Sequence, residues 1–204
     1  MALFLITFVV WAVVHSITAA FFTKHFVRKH IGEAAYDGLY RLGYNLFATI
    51  TFLPVLYVLA VAVPTTAVWN IPTPYNYAFL AIRWSGMIGL VVSVLQTDIW
   101  DFAGLRQAAR YFSSDDSMIP PSHLVVTGTY AWVRHPIYTF SMMMIWFSPI
   151  MTLNGLIFNV LMSIYFWIGA THEEKRLEIE FGQEYVEYKK NVPILFPVKL
   201  KKRP

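Results

Sequence analysis

Polar and apolar positions in this chain segregate into long blocks. No Asp, Glu, Lys or Arg occurs in 1–23, 42–82 or 135–172. Each block exceeds the roughly 18 apolar residues that point to a bilayer crossing. Pro64, Pro72 and Pro74 divide the second block, because proline breaks helix interiors. The pattern predicts spans over 2–22, 42–63 and 78–97. The third block is too long for one crossing and suits two short ones. Asn154-Gly155 is a turn signal in its middle. A helical hairpin of 137–153 and 156–170 is therefore expected, which makes five spans.

Charge placement supports that count. With the N-terminus outside, the inner segments are 23–41, 98–135 and 171–204, and Arg83 alone among 16 Lys and Arg lies elsewhere. All 12 Asp and Glu fall in the same segments. Basic residues collect on the cytoplasmic side of membrane proteins. The expected fold class is all-α: an integral membrane bundle of five transmembrane helices, N-terminus out and C-terminus in. The chain is read as one domain over 1–204. It has three N-terminal spans in 1–97, a cytoplasmic connector at 98–135, the hairpin at 136–171, and a helix and tail at 172–204.

Composition agrees. Of 204 residues 57% are hydrophobic and 14% are charged, against roughly a quarter charged in soluble domains. A soluble enzyme, a nucleic-acid binder and a disordered tail are excluded, and the net charge of +4 reports orientation. The chain has no cysteine, so disulfides, Cys-ligated zinc and thiol catalysis are excluded. No basic segment precedes the first apolar run, so a cleaved leader is not expected.

The cytoplasmic pieces read as ordered. Leu105, Ala108, Ala109 and Phe112 recur at helical spacing in 101–112, predicting an amphipathic helix. Leu177, Phe181, Tyr185 and Tyr188 form an apolar stripe in 173–188, interrupted by Gly182. The basic tail 199–203 is expected to meet anionic headgroups.

Three groups of residues could carry chemistry. The first is LVVTGTYAWVRHPIY at 124–138, on the cytoplasmic side of the hairpin. Pro136 suits a helix start and Arg134 suits a snorkelling position, so an interface belt is one reading. The other is a site for a charged aromatic cofactor, with a helix N-terminus for an anionic group and Tyr rings for an adenine. The second group is His172-Glu173-Glu174 at the exit of the fifth span. It either faces water or supplies a carboxylate opposite Arg134 and His135. The third is His15-Ser16 within the first span, which is a functional or a helix-packing pair. His25 and His30 are five apart, not at a spacing that shares a helix face, so no metal site is expected.

Residues 122–196 resemble the superfamily of isoprenylcysteine carboxyl methyltransferases and phospholipid N-methyltransferases. The resemblance rests on the order RHP-x-Y, then EE, then FGQEYVEYKKNVPILFP. The N-terminal half, with WAVVHS and TFLPVL, is more similar to the NnrU and methanethiol S-methyltransferase branch. The resemblance implies S-adenosylmethionine as cofactor. By position, His123, Leu124, Val125, Gly128, Tyr130, His135, Pro136, Ile137, Tyr138, Glu173 and Glu174 would line its pocket. Glu173 would take the methionine ammonium, and Tyr130 with Leu124 and Val125 would sit near the adenosine. Arg134 would be the catalytic cation beside the reacting groups. The family's first His falls one position earlier, at Ser122. Where isoprenylcysteine enzymes carry an Arg in the last span, this chain has Gly169, which argues against a prenylcysteine substrate.

The expected function is an integral membrane S-adenosylmethionine-dependent methyltransferase, its site on the cytoplasmic face. The acceptor would be a lipophilic or small thiol, amine or carboxylate, reaching the site from the lipid bilayer. The alternative is a non-catalytic NnrU-like membrane protein that binds haem or another small ligand. Nucleic acid is not an expected partner.

Overall fold

The computed structural model describes residues 1–113 and 123–198. Pro120, Pro121, Ser122 and the basic tail at 199–203 lie outside that range. In chain order the elements are α1 (Ala2–Ala19), α2 (Phe21–Ile31), α3 (Glu33–Ala62), β1 (Ala67–Asn70), α4 (Tyr75–Gln96), α5 (Ile99–Ala103), α6 (Leu105–Ser113), a 3₁₀ turn (Gly128–Ala131), α7 (Pro136–Trp146), β2 (Ile150–Thr152), α8 (Leu153–Phe181) and α9 (Gln183–Asn191). The described chain is mostly helical. Among its helices α1, α3, α4 and α8 are long and apolar enough to cross a membrane.

The chain divides into two compact units, residues 1–64 with 98–122 and residues 65–97 with 123–204. In the first, α1 packs on α3 through large side chains. Phe4, Phe8 and Val55 are buried there. The Trp11 and Phe52 rings lie 4.6 Å apart. The hydroxyl of Tyr44 lies 2.8 Å from His15 Nε2, a polar contact joining the two helices. So His15 packs helix to helix.

The expected first span and its basic sequel separate at Ala20, whose ψ of 151° is extended. The amphipathic helix expected over 101–112 is two helices, α5 and α6. Gly104 divides them at φ +86°, where the backbone of Leu42 fills the space a Cβ would need. Asp98 caps α5 by accepting from the amides of Trp100 and Asp101, each at 3.1 Å.

In the second unit α4 and α7 run antiparallel at close range. Phe79 meets Phe147, Gly86 faces the backbone of Met144, Gly89 faces the Phe140 ring, and Ser93 meets Thr129. Small residues let the backbones approach, which is how helices associate where lipid removes the hydrophobic drive. At the far end β1 pairs antiparallel with β2, with Asn70 opposite Ile150 and Trp69 opposite Met151. This two-stranded sheet is an addition to the expected all-helical fold.

The hairpin differs from expectation at its turn. Asn154-Gly155 is not the reversal; it opens α8, where Asn154 Oδ1 accepts from the Gly155 amide at 2.9 Å. Asn serves both turns and helix starts, because its side chain satisfies free amides. The reversal runs through 147–152 and is held by the β1 pairing. The 11 residues of α7 are about 17 Å long. The 3₁₀ turn before it and the irregular chain on either side lengthen this arm, so the segment from Thr129 to Phe147 follows α4 along most of its length.

α8 continues past its apolar part as one helix through Glu173 and Glu174 to Phe181. Gly182, at φ +55°, then turns the chain into α9.

Candidate functional site

The site forms at the end of the second unit where α7 begins and α8 becomes charged. His135 precedes α7 and Pro136 is its first residue, a position where the missing N–H costs nothing. No side chain caps this N-terminus among the described residues. The amides of Ile137 and Tyr138 are therefore first-turn donors that the helix cannot satisfy internally.

The 3₁₀ turn before it is anchored to α4. Gln96 Oε1 accepts from the Thr129 amide at 3.1 Å and from its hydroxyl at 2.6 Å. Gly128 takes φ +60°, and the Gln96 side chain occupies the space of its absent Cβ. Tyr130 follows with its hydroxyl 3.5 Å from the Ser93 carbonyl. Burial first, and the Glu173 charge second, push the Tyr130 phenol up to about 12. Tyr130 is thus a neutral ring here. His123 is exposed, and Leu124 and Val125 are half-buried in irregular chain.

Glu173 and Glu174 face this turn from α8 with different environments. The Glu173 side chain is 36% exposed, against 9% for Glu174. Glu173 Oε2 lies 3.4 Å from His135 Nδ1 and accepts from the Tyr138 hydroxyl at 3.3 Å. Tyr138 stacks between His135 and Phe166, at centroid distances of 5.7 and 5.1 Å. Gly169 lies beside it, and a Cβ there would come 3.6 Å from the Tyr138 hydroxyl. His135 is buried. Burial opposes its charged form, but the Glu173 and Glu174 carboxylates outweigh that and raise its pKa. His135 Nε2 is 3.7 Å from Glu174 Oε1 and has no hydrogen-bond partner among the described residues.

Glu174 belongs to a buried ionic knot. Its Oε1 accepts from Arg134 Nε at 2.6 Å and lies 2.5 Å from Nη2. Its Oε2 lies 3.0 Å from Lys189 Nζ, which also reaches Glu178 at 2.5 Å. Arg134 Nη1 donates to the carbonyls of Lys189 and Val192. The structure thus turns Arg134 inward.

Sequence reasoning missed Gln96, Ser93, Thr139 and Lys189, which hold the site from outside the motif. It read Tyr185 and Tyr188 only as an apolar stripe. Tyr185 is 1% exposed, and Tyr188 donates to the Tyr130 carbonyl at 2.5 Å.

An apolar groove of about 900 Å³ adjoins this end of the unit and runs along α4 and α7. Ile88, Val92, Trp132, Phe140, Met143 and Phe196 line it, and among the described residues no charged side chain does.

Residues 87–179 match the isoprenylcysteine carboxyl methyltransferase (ICMT) family. A methanethiol S-methyltransferase of Crocosphaera subtropica is 32% identical over 59% of this chain and 46% of its own length. One of Mycobacterium tuberculosis is 27% identical over 92% of this chain and 74% of its own. The protein-S-isoprenylcysteine O-methyltransferase of Mus musculus is 30% identical over 57% and 42% respectively. The chain thus resembles this methyltransferase superfamily, with methanethiol and isoprenylcysteine enzymes both among the proteins similar to it. It spans about half the length of the first of these relatives. No solved structure matches it.

Proposed function

We propose that this chain is an integral membrane methyltransferase that uses S-adenosylmethionine. The observation that carries the reading is Glu173. It is a half-exposed carboxylate set by His135 and Tyr138 beside an uncapped helix N-terminus and a neutral Tyr ring. The donor set fits the cofactor. Glu173 would hold the ammonium, the first-turn amides of α7 the carboxylate, and Tyr130 with Leu124 and Val125 the adenosine. The bound cofactor supplies a methyl group already activated by sulfonium charge.

The protein's task is then alignment and exclusion of water, which is catalysis by positioning. His135 and Tyr185 are buried at this end of the unit. The apolar groove offers an acceptor a path from the bilayer. A thiol acceptor agrees with the names of the methanethiol relatives. The uncharged groove and Gly169 both disfavour an acceptor carboxylate.

In the membrane we propose five crossings, N-terminus out and C-terminus in, with all 204 residues acting as one domain and the site on the cytoplasmic face. The β1–β2 pairing supports this, because it puts the start of α4 and the end of the α7 arm on one side.

The test is methyl transfer. Purified protein with labelled S-adenosylmethionine should methylate small thiols or an extracted lipid fraction. Binding of the cofactor with no transfer to either pool contradicts the enzymatic reading.

A further inference from the structure

Arg134 has a role in this chain that its place in the motif does not suggest. Its side chain is 8% exposed. Nε and Nη2 are committed to Glu174, and Nη1 to the carbonyls of Lys189 and Val192. Its backbone amide donates to the Pro193 carbonyl at 2.9 Å. The neighbours continue the pattern. The His135 amide donates to Ile194 O at 3.1 Å, and the Thr139 hydroxyl donates to Leu195 O at 2.6 Å. Four consecutive carbonyls, from Val192 to Leu195, are thereby taken up by Arg134, His135 and Thr139. The segment is a strap laid across the start of α7. Leu195 within it is 1% exposed, and Phe196 beyond it lines the groove.

We propose that Arg134 is a positioning residue that clasps this strap and Glu174, and that the strap is a wall of the cofactor site. The guanidinium does not meet the reacting atoms. It acts through Glu174: Glu173 is the preceding residue of the same helix, so fixing one carboxylate aims the other. The clasp also fixes His135, whose amide the strap receives. A methyl-transfer site built this way keeps its cation away from a cationic sulfonium donor, where like charge is unfavourable. This rests on the methyltransferase reading.

The chain lacks cysteine, so a single thiol reports cleanly. Two measurements are made on full-length protein. One is the Kd for S-adenosylhomocysteine, for Arg134→Gln, Glu174→Gln and the double variant. The other is the maleimide labelling rate of Leu195→Cys, alone and combined with Arg134→Gln. Each single variant should weaken binding about tenfold or more, and the double variant should be no worse than either. Labelling of Leu195→Cys should accelerate about tenfold when Arg134 is lost, because the strap opens. Arg134→Lys restores the ion pair but not both carbonyl contacts, so it should fall between.

If Arg134→Gln leaves both Kd and labelling unchanged and only slows methyl transfer, the proposal is overturned. Where that variant does not fold, Thr139→Val removes the strap contact at Leu195 O, together with the weaker contact to the His135 carbonyl, and leaves Arg134 in place. Faster labelling and weaker binding then support the proposal, and unchanged values contradict it. Wild-type protein that fails to bind S-adenosylhomocysteine contradicts the methyltransferase reading instead, while the labelling arm still decides whether Arg134 holds the strap.

Discussion

His135 Nδ1 stands 3.4 Å from Glu173 Oε2, joining the residue before α7 to the point where α8 becomes charged. The contact has a pH consequence. Burial alone would lower the His135 pKa, but Glu173 and Glu174 raise it above the ordinary value. The stability this pairing adds is full below the unfolded imidazole value near 6.5 and disappears as pH rises through the higher folded value. The charged ring also competes with a ligand ammonium for Glu173. Affinity for S-adenosylhomocysteine should therefore increase as pH rises above about 6.5 and through the raised value. Lys189, whose pKa is raised by its hydrogen bond to Glu178, stays charged over that range. Calorimetric titration across this window should show the trend in wild type and its loss in His135→Asn.

The buried pair of Arg134 and Glu174 sets a stability prediction. Removing one partner strands a charge with less than a tenth of its side chain exposed, at a cost of about 3–5 kcal/mol. Glu174→Gln should lower the midpoint of thermal unfolding sharply. Replacing both partners with apolar residues, as Arg134→Met with Glu174→Leu, should cost less than either single change. Lys189, left facing Glu178 alone, limits that recovery.

Two glycines should respond oppositely to the same change. A Cβ at Gly86 would lie 2.9 Å from the Met144 amide nitrogen and 3.2 Å from the Phe140 carbonyl oxygen, both backbone atoms. Gly86→Ala should then force α4 from α7 and destabilise by about 1–3 kcal/mol. A Cβ at Gly43 meets nothing within 4 Å, and Gly43→Ala in α3 should stabilise by about 0.5–1 kcal/mol. Unfolding in detergent micelles compares the two.

His15 and Tyr44 form a polar contact between α1 and α3. Interhelical hydrogen bonds in membranes average about 0.6 kcal/mol. Tyr44→Phe should cost about that much and leave S-adenosylhomocysteine affinity at the wild-type value. A loss of binding would place His15 in function.

Much of this fold was legible in sequence because charge-free runs are forced by the bilayer. α1, α3 and α4 follow the runs ended by Lys24, Pro64 and Asp98. What was not legible depended on partners far along the chain. Ala20 bends the backbone with neither Gly nor Pro to mark it. Asn154-Gly155 signals a turn and a helix start equally, and only the pairing of β2 with β1 decides. In the site, Glu173 and Tyr138 were legible through the motif order, and the structure brings them together. Arg134 was not. Its inward turn depends on Glu174, 40 residues later, and on carbonyls of 189 and 192. Backbone acceptors leave no trace in residue type.

The central proposal is that Glu173 holds the ammonium of a sulfonium cofactor, and one measurement addresses it directly. Calorimetry with S-adenosylhomocysteine should give a saturable binding isotherm with wild-type protein and none with Glu173→Ala, while thermal unfolding shows both proteins folded. Equal binding by the two proteins, or no binding by folded wild type, contradicts it.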